Sequence, residues 1–476
     1  MLVAIPLSKA APLSRQVYLR LREAILSGSL RGGEKLPSTR DLAEQLGVSR
    51  TVVLTAFDQL LSEGFAVGRR GSGTYVSSHV RLAPAQAPQK SASLRISSFG
   101  VAAAAAWTRM NFPPPAEKRL PYDFAYGRSD VEKFPFAMWR RLLLRRARKT
   151  SVSQLDYGPT SGSVALRDAL SAHLRRARAV ECEPSQITIV NGSQQALDLI
   201  ARVLIEKGDR VAIEEPNYQG AREVLRAAGA RLIPVAVDHD GLIPQKLPSN
   251  SRMAFVTPSH QFPTGAILPL SRRLELLEWA KSANAVIVED DYDGEFHYEG
   301  QPLESLQGLD REGRVVYIGT FSRTVFSALR IGYLIAPKRL VPAFTAAKWL
   351  CDRHTATLEQ ETLAEFISSG MYERYLRRVR RRNAMRREAL LDGIRTHLGD
   401  RVEVAGDGAG AHVVLWPKHR VSEESVVAAA RERGVRVYGI AGYHLRRPRR
   451  EGFILGYSRM SEAQIREGIR RLAEVL

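Results

Sequence analysis

The sequence predicts two domains of different fold class, a small α+β domain near the N-terminus and a larger α/β domain after it. Three observations support this prediction. The chain has 476 residues, which is more than one hydrophobic core usually serves. Residues 12–77 hold three short helical patterns and then two short strand patterns. From Tyr122 onward, apolar strand-like runs alternate with amphipathic helical patterns, as is typical of α/β folds.

The small domain begins with three helical patterns in close succession. The first covers residues 15–28 and the third covers residues 50–63. The second starts after Ser38, which has Asp41 three residues later as in a capping box, and it stops at Gly47. Two short helices joined by a turn that contains glycine predict a helix-turn-helix, whose second helix enters the major groove of DNA.

A basic, glycine-rich tip follows the third helix, between two short strand patterns within residues 65–76, and we interpret it as the wing of a winged helix. The order of three helices and a wing, with the runs LPSTRDLA at 36–43 and GVSRT at 47–51, resembles the winged helix-turn-helix of GntR-type transcription regulators. The resemblance covers residues 12–77. It implies that the DNA-contacting residues are Arg40, Ser49, Arg50, Thr51, Arg69, Arg70, Gly71, Ser72 and Gly73.

The residue types at these positions suit contacts to DNA. Arginine grips a phosphate or the edge of a guanine, serine at a helix N-terminus donates to phosphate, and glycine lets the backbone approach the sugar-phosphate chain. The alternative is that the arginines only keep a small domain solvated. Leu54 stands where some relatives carry a polar or basic reader, so the resemblance leaves the base readout open.

Residues 78–118 differ in composition from both domains. Pro84, Pro88 and the three prolines at 113–115 are mixed with Ala, Ser and Gln, and the run 101–106 is nearly pure alanine. This composition predicts a linker of about 40 residues, part of it helical. Such a linker would either let DNA-binding domains be placed independently of the larger domain, which then covers residues 119–476, or be slack without a tuned role.

The positive charge predicts a polyanionic partner. The net charge is +20 and the isoelectric point is about 10.2. Nucleic acid is the simplest such partner, although a proteome rich in arginine would produce the same balance. The densest basic run lies at residues 376–387 and contains seven arginines. It is either the solvated face of a long helix or a surface of the larger domain that faces DNA.

Cysteine content and hydrophobicity predict the compartment. Cys182 and Cys351 are too few and too far apart for a disulfide framework or a zinc site. The N-terminus lacks a long apolar signal segment, and no stretch approaches the roughly 20 apolar residues of a membrane span. We therefore expect a cytoplasmic protein that does not enter a membrane.

The larger domain resembles class I/II aminotransferases over about residues 120–476, because a landmark of that family follows each predicted strand in the family's order. Together with the winged helix, the segments YGP at 157–159, TPSHQFPTG at 257–265 and EDDYD at 289–293 are similar to the MocR subfamily of GntR-type regulators. The resemblance implies a fold-type I aminotransferase-like α/β domain with a small α+β subdomain after Gly410. It also implies a homodimer, since fold-type I pockets are built at a dimer interface.

The same resemblance implies a pocket for pyridoxal 5'-phosphate (PLP). Residues 191–194 lie between a strand and a helix, whose free N–H groups suit a phosphate. A carboxylate at Asp290 would hold the ring nitrogen protonated, and the fork of Arg330 suits the phosphate. The residues assigned to the pocket are Ser193, Gln194, Tyr218, Asp290, Tyr292, Thr320, Ser322, Arg323 and Arg330.

Arg323 departs from the family pattern. At this position, within the segment 319–333, fold-type I enzymes carry the lysine that forms a Schiff base with the cofactor. A guanidinium stays charged, with a pKa above about 12, and does not attack a carbonyl. We therefore expect no covalent link and little transaminase activity, but non-covalent binding of PLP or a related phosphorylated ligand. The alternative is that Arg323 pairs with Asp290 or Tyr292 and fills an empty pocket.

Position 454 departs from the family pattern as well. Many aminotransferases hold the substrate carboxylate with an arginine where this chain has Ile454, and Arg459 is a candidate substitute. An amino-acid effector therefore has less support from the sequence than a PLP-like one.

These observations predict a DNA-binding transcription regulator whose aminotransferase-like domain dimerises and senses a small molecule. Its partners would be an operator in double-stranded DNA and an effector that is PLP or resembles an amino acid. One alternative is a working PLP-dependent aminotransferase with an accessory DNA-binding domain, against which Arg323 argues. The other is a regulator whose larger domain binds no ligand and only dimerises.

Overall fold

The computed structural model of the chain describes residues 11–80, 94–110, 120–298, 304–448 and 450–476. It divides into two compact units between Ile96 and Ser97. The N-terminal unit consists of α1 (Leu13–Leu26), α2 (Thr39–Leu46), α3 (Arg50–Ser62), β1 (Ala66–Arg69) and β2 (Gly73–Val76). Strands β1 and β2 pair as an antiparallel hairpin from Ala66↔Val76 to Arg69↔Gly73.

The local signals in the sequence account for this N-terminal unit. The hydroxyl of Ser38 accepts a hydrogen bond from the backbone N–H of Asp41 at 3.2 Å and so caps α2. Gly47 ends α2 in the left-handed conformation, with φ of 64°. The apolar stripes of the three helices meet in one core, in which Val17, Phe57 and other apolar side chains are buried. The fold predicted for residues 12–77 is therefore confirmed.

The larger unit contains the remaining elements. Its helices are α4 (Ser98–Arg109), α5 (Phe136–Lys149), α6 (Val164–Arg178), α7 (Ser193–Leu204), α8 (Gln219–Ala227), α9 (Leu270–Ser282), α10 (Leu306–Leu309), α11 (Val341–Asp352), α12 (Thr357–Ser368), α13 (Met371–His397), α14 (Glu423–Glu432) and α15 (Glu462–Leu472). Its strands are β3 (Tyr122–Asp123), β4 (Ile187–Val190), β5 (Arg210–Glu215), β6 (Arg231–Asp238), β7 (Gly241–Leu242), β8 (Met253–Val256), β9 (Val286–Asp291), β10 (Val315–Thr320), β11 (Gly332–Ile335), β12 (Val402–Ala405), β13 (His412–Pro417), β14 (Val435–Arg436), β15 (Tyr438–Gly439) and β16 (Phe453–Gly456).

The core of this unit is an eight-stranded sheet in the order β4-β11-β10-β9-β8-β5-β6-β7. Strand β11 runs antiparallel to both of its neighbours, and β7 is antiparallel to β6, while the other pairs are parallel. Consequently β4, β5, β8, β9 and β10 all end at the same edge of the sheet. This edge is where ligands bind in open α/β sheets.

A second, four-stranded antiparallel sheet (β12-β13-β16-β15) forms a smaller subdomain with α14 and α15. The sequence places this subdomain after Gly410, but the structure starts it earlier. Strand β12 precedes Gly410, and β3 pairs in parallel with β14 while Phe124 enters the subdomain core. A two-residue strand has no recognisable hydrophobic period, so the sequence contains no sign of this early contribution.

The predicted linker at 78–118 is partly a folded element. Helix α4 lies within it and packs on α8, where Arg109 Nη2 lies 2.6 Å from Glu223 Oε2. Residues 81–93 and 111–118 of the predicted linker lie outside the described residues. Across the described ranges, no helix is both long and apolar enough to cross a membrane.

Candidate functional site

Residues assigned to a phosphate gather at one corner of the sheet edge. Ser193 and Gln194 begin α7, directly after β4, and Gly192 before them has a φ of 83°. Arg330 donates from Nη2 to the carbonyl of Asn191 at 2.8 Å. A Cβ atom at Gly192 would lie 2.6 Å from Arg330 Nη2, so the missing side chain leaves the space that the guanidinium occupies.

Two hydroxyls stand at the end of β10. Thr320 Oγ1 donates to Ser322 Oγ at 3.1 Å and accepts from the backbone N–H of Ser322 at 3.1 Å. Both side chains are half-buried. A helix N-terminus, an arginine and two hydroxyls together have the donor set that a phosphate group requires.

Asp290 lies near the end of β9, and its side chain is nearly enclosed, with 4% of the residue exposed. Its Oδ1 has no hydrogen-bond partner among the residues that the structure describes. Burial raises the pKa of this carboxyl from 3.8 to about 7, the charge of Asp291 adds to the rise, and the cation of Arg323 opposes it. An unpaired carboxyl oxygen in this position fits the ring nitrogen of PLP.

Two tyrosines lie beside Asp290. The ring of Tyr218 lies against Gly220, where a Cβ atom would collide with it. Burial and the charge of Asp290 both raise the pKa of Tyr218. The hydroxyl of Tyr292 is 2.9 Å from Nδ1 of His260. Both phenols therefore remain neutral and can act as hydrogen-bond donors or as flat apolar surfaces.

Sequence reasoning missed the network behind Tyr292. Nδ1 of His260 also lies 3.0 Å from Asp293 Oδ2, and the imidazole ring of His260 is 4.8 Å from that of His412. All three of these residues are buried. His260 and Asp293 are part of the TPSHQFPTG and EDDYD segments, but nothing in their spacing indicates that they touch.

Arg323 follows β10, and its guanidinium lies 5.6 Å from the ring centre of Tyr292. On its other side it abuts Gly127, where a Cβ atom would collide with it. Its Nη1 has no hydrogen-bond partner, and among the described residues no ion pair joins Arg323 to Asp290. The alternative in which Arg323 pairs with Asp290 is therefore not what the structure contains, whereas a contact with Tyr292 is present.

A polar cavity opens beside Arg323. Its volume of about 20 Å³ leaves room for roughly one water molecule. Five buried side-chain atoms that line it have no hydrogen-bond partner within the described ranges: Ser129 Oγ, Asp293 Oδ1, Arg323 Nη1, Asn383 Oδ1 and Ser458 Oγ. Buried polar groups are nearly always paired with protein or with ordered water, so this space suits a bound water or a polar group of similar size.

The residues assigned to DNA lie on the exposed surface of the N-terminal unit. Ser49 precedes α3 and makes no side-chain capping bond, so its hydroxyl is available. Arg50 Nε donates to Thr39 Oγ1 at 3.3 Å, and Arg69 lies over the ring of Tyr75 at 4.4 Å. All nine residues of the predicted set are exposed: Arg40, Ser49, Arg50, Thr51, Arg69, Arg70, Gly71, Ser72 and Gly73.

Two family models match the chain, one for each unit. Residues 13–76 match the family described as bacterial regulatory proteins, gntR family. Residues 126–472 match aminotransferase class I and II.

Relatives with the same two-part organisation cover nearly the whole chain. The probable rhizopine catabolism regulatory protein MocR of Rhizobium meliloti is 38% identical over 470 residues, which are 97% of this chain and 93% of the relative. The HTH-type transcriptional regulator TauR of Rhodobacter capsulatus is 34% identical over 98% of this chain and 96% of the relative. The chain belongs to the MocR-type regulators of the gntR family. In these regulators a GntR helix-turn-helix domain precedes an aminotransferase-like domain.

Solved aminotransferase structures are similar to the larger unit of this MocR-type regulator. Pyrococcus horikoshii kynurenine aminotransferase, in complex with PMP, has a TM-score of 0.70 at 26% identity, covering 81% of this chain and 96% of the enzyme. Thermus thermophilus LysN, in complex with N-(5'-phosphopyridoxyl)-L-leucine, has a TM-score of 0.70 at 28% identity, covering 78% and 96%. The fold-type I architecture predicted for the larger domain is confirmed.

The pH dependence of stability tests the burial of Asp290. The folded state raises the pKa of Asp290 from 3.8 to about 7, so between these values it keeps a proton that the unfolded chain has released. The contribution of Asp290 to stability should therefore fall as pH rises from about 4 to 7, by up to a few kcal/mol. Asp290→Asn removes the titrating group and should flatten part of this fall in thermal unfolding. Burial also raises the pKa values of Glu214 and Glu289 to about 7, so these two carboxyls should still contribute a fall in stability in the variant.

The variant Arg323→Gln should change the pH dependence of stability in the opposite direction to Asp290→Asn. The cation of Arg323 lowers the pKa of Asp290, so its removal should extend the fall in stability to higher pH. If the wild type, Asp290→Asn and Arg323→Gln show the same pH profile, Asp290 does not titrate as assigned.

Proposed function

We propose that this MocR-type regulator binds an operator in double-stranded DNA with its N-terminal domain and binds PLP without a covalent bond in its larger domain. The observation that carries the proposal is the pair of unpaired buried atoms at the sheet edge, Asp290 Oδ1 and Arg323 Nη1. Asp290 offers a partner to a ring nitrogen. Arg323 stands where the Schiff-base lysine is expected and cannot form that bond.

The phosphate corner supports the choice of ligand. The N-terminus of α7, Arg330 and the hydroxyls of Thr320 and Ser322 would hold the phosphate, while Tyr218 would cover the ring. When bound, PLP supplies an electron-withdrawing ring and an aldehyde. Without a lysine at position 323, no side chain of the segment 319–333 can shuttle the proton that transamination requires. A sensor therefore agrees with these residues better than an aminotransferase.

The polar cavity supports a second part of the proposal, an effector that resembles an amino acid. Arg323 and Asp293 present one free donor and one free acceptor of opposite charge to the same space. Ile454 lies in an apolar cluster with Val414 and Ile440, so it supplies no cation for a carboxylate. The effector would displace the side chain of Arg323, since the cavity alone is too small.

An exposed apolar surface supports a homodimer. Leu155 is 77% exposed and Tyr157 72% exposed, beside a groove of about 500 Å³. Arg353 contacts both Tyr157 and Trp349, which joins these side chains into one surface. Two copies of the chain in the cytoplasm would then present two helix-turn-helix domains to a repeated half-site.

Arg50→Ala tests the DNA-binding part of the proposal. The probe is the DNA upstream of the protein's own gene, and the measurement is fluorescence anisotropy at several salt concentrations. Loss of a base or phosphate contact should weaken binding by roughly 10-fold or more. Arg20→Ala, which removes an exposed arginine of α1 paired with Glu23, is the matched control and should bind like the wild type. Equal affinity of Arg50→Ala and wild type would refute the position assigned to α3.

A PLP titration of wild type beside Arg323→Lys tests the cofactor-binding part. We expect saturable binding to both proteins by calorimetry, with micromolar dissociation constants. Only the lysine variant should turn yellow and retain the cofactor through denaturation after borohydride reduction, because only a primary amine forms the reducible bond.

Asp290→Ala is the control for site occupancy in this titration, and it should weaken PLP binding in both backgrounds. No binding heat with wild type, together with intact DNA binding, would favour a regulator whose larger domain only dimerises. A reducible yellow species in wild type would instead favour an aminotransferase.

A further inference from the structure

The positive charge of this protein resides mainly outside the domain that resembles DNA-binding proteins. Residues 11–80 contain nine Lys and Arg against six Asp and Glu. Residues 120–476 contain 54 Lys and Arg against 43 Asp and Glu. The excess is larger in total in the aminotransferase-like domain, but this domain is also about five times as long, so the position of the charge is more informative than its amount.

Helix α13 concentrates this excess, with nine arginines against three acidic residues. Three of its arginines face the protein and have partners there. Arg380 Nη2 lies 2.9 Å from Glu295 Oε2, Arg386 Nη2 lies 2.8 Å from Asp130 Oδ2, and Arg387 contacts Asp407. These three arginines hold α13 against the larger domain, so their presence is explained by the fold.

Four other arginines of α13 face solvent: Arg374, Arg377, Arg378 and Arg381, which we call the α13 basic stripe. Their spacing of three and four residues places them along one face, over about 10 Å of helix. In the described part of the chain, the acidic contact of the stripe is a single distant one, Arg377 Nη1 to Glu373 Oε1 at 3.9 Å. Glu373 is also shared with Arg380.

The stripe costs stability in the isolated protein. Like charges three and four residues apart destabilise a helix by a few tenths of a kcal/mol per pair. The fold provides no compensating contact for Arg374, Arg378 or Arg381 among the described residues. A polyanion bound outside the helix would convert this repulsion into attraction.

We infer that the α13 basic stripe binds the phosphate backbone of double-stranded DNA, which extends the proposed DNA binding from the N-terminal domain to the aminotransferase-like domain. One strand of a duplex presents a phosphate about every 3.4 Å along the axis, so a stripe of about 10 Å spans several of them. Arginine forks suit phosphate oxygens. The contact is independent of base sequence, because it reaches only the backbone.

The composition of the stripe favours DNA over an anionic membrane. Helices that bind membrane surfaces carry apolar side chains beside their basic ones, and these enter the lipid. Between residues 374 and 381 the exposed positions of α13 are all arginine. The nearest exposed apolar residue of the helix is Met385, at 53% exposure, beyond the end of the stripe.

The test compares two triple variants of the full-length chain in the Arg50→Ala background, which weakens operator recognition. The stripe variant carries Arg374→Gln, Arg378→Gln and Arg381→Gln. The control variant carries Lys207→Gln, Lys246→Gln and Arg311→Gln, three exposed basic residues on other parts of the larger domain with the same total charge change. Each binds a random-sequence duplex of about 60 base pairs over a range of salt concentrations, followed by anisotropy.

The logarithm of the binding constant should fall as the logarithm of salt concentration rises. We expect this slope to be less steep by about 2–3 in the stripe variant, since each lost phosphate contact contributes about 0.9. Affinity at about 0.1 M salt should fall at least 10-fold, and the control should match its parent. Equal slopes for the two triple variants would overturn the inference. Because the duplex is random in sequence, this result is independent of whether the N-terminal domain recognises its operator.

Two further measurements protect this conclusion. A stripe variant with lysine at all three positions keeps the charge and should keep the slope, whereas a loss as large as that of the glutamine variant would contradict an electrostatic contact. Thermal unfolding should not be impaired in either variant, because the side chains point outward, and the glutamine variant should be slightly more stable because it loses the like-charge repulsion. Stripe-dependent sedimentation with phosphatidylserine vesicles, together with stripe-independent DNA binding, would also overturn the inference in favour of a lipid surface.

Discussion

The guanidinium of Arg323, which has no ion pair among the described residues, and the buried carboxyl of Asp290 are the two groups on which the proposed role of the larger domain depends. Asp290 is kept at a pKa of about 7 by burial and by Asp291, and Arg323 is the charge that opposes this rise. The two side chains do not bond to each other, and among the described residues each has one hydrogen-bonding atom at the sheet edge without a partner. A ligand that supplies a ring nitrogen and a polar group can bond to both side chains. A lysine at position 323 would instead hold the ligand through a covalent bond.

The fold explains why these side chains converge. Strands β4, β5, β9 and β10 run in the same direction and end at one edge, so residues from four distant segments meet there. Glycines at the edge set the available space. Gly192 leaves room for Arg330, and Gly127 leaves room for Arg323. An arginine at position 323, where the resemblance to fold-type I enzymes implies a lysine, would thus change the chemistry of the pocket without requiring a different scaffold.

The two folds and most of their helices and strands could be predicted from the sequence because local residue patterns determine them. Ser38 and Gly47 mark the ends of α2, and apolar runs mark the central strands. The cavity beside Arg323 could not be predicted, because Ser129, Asn383 and Ser458 come from three segments without any periodic relation. The same holds for the contact between His260 and Asp293, and for the two-residue strand β3. Such features depend on tertiary packing alone.

A crystal structure of the full-length chain grown with PLP tests the central claim most directly. The account predicts a phosphate beside Arg330 and the N-terminus of α7, a ring nitrogen within hydrogen-bond distance of Asp290, and no covalent bond to residue 323. Arg323 should have left its contact with Gly127 or should donate to the ligand. A structure in which saturating PLP leaves the sheet edge empty, with Arg323 still against Gly127, would contradict the account.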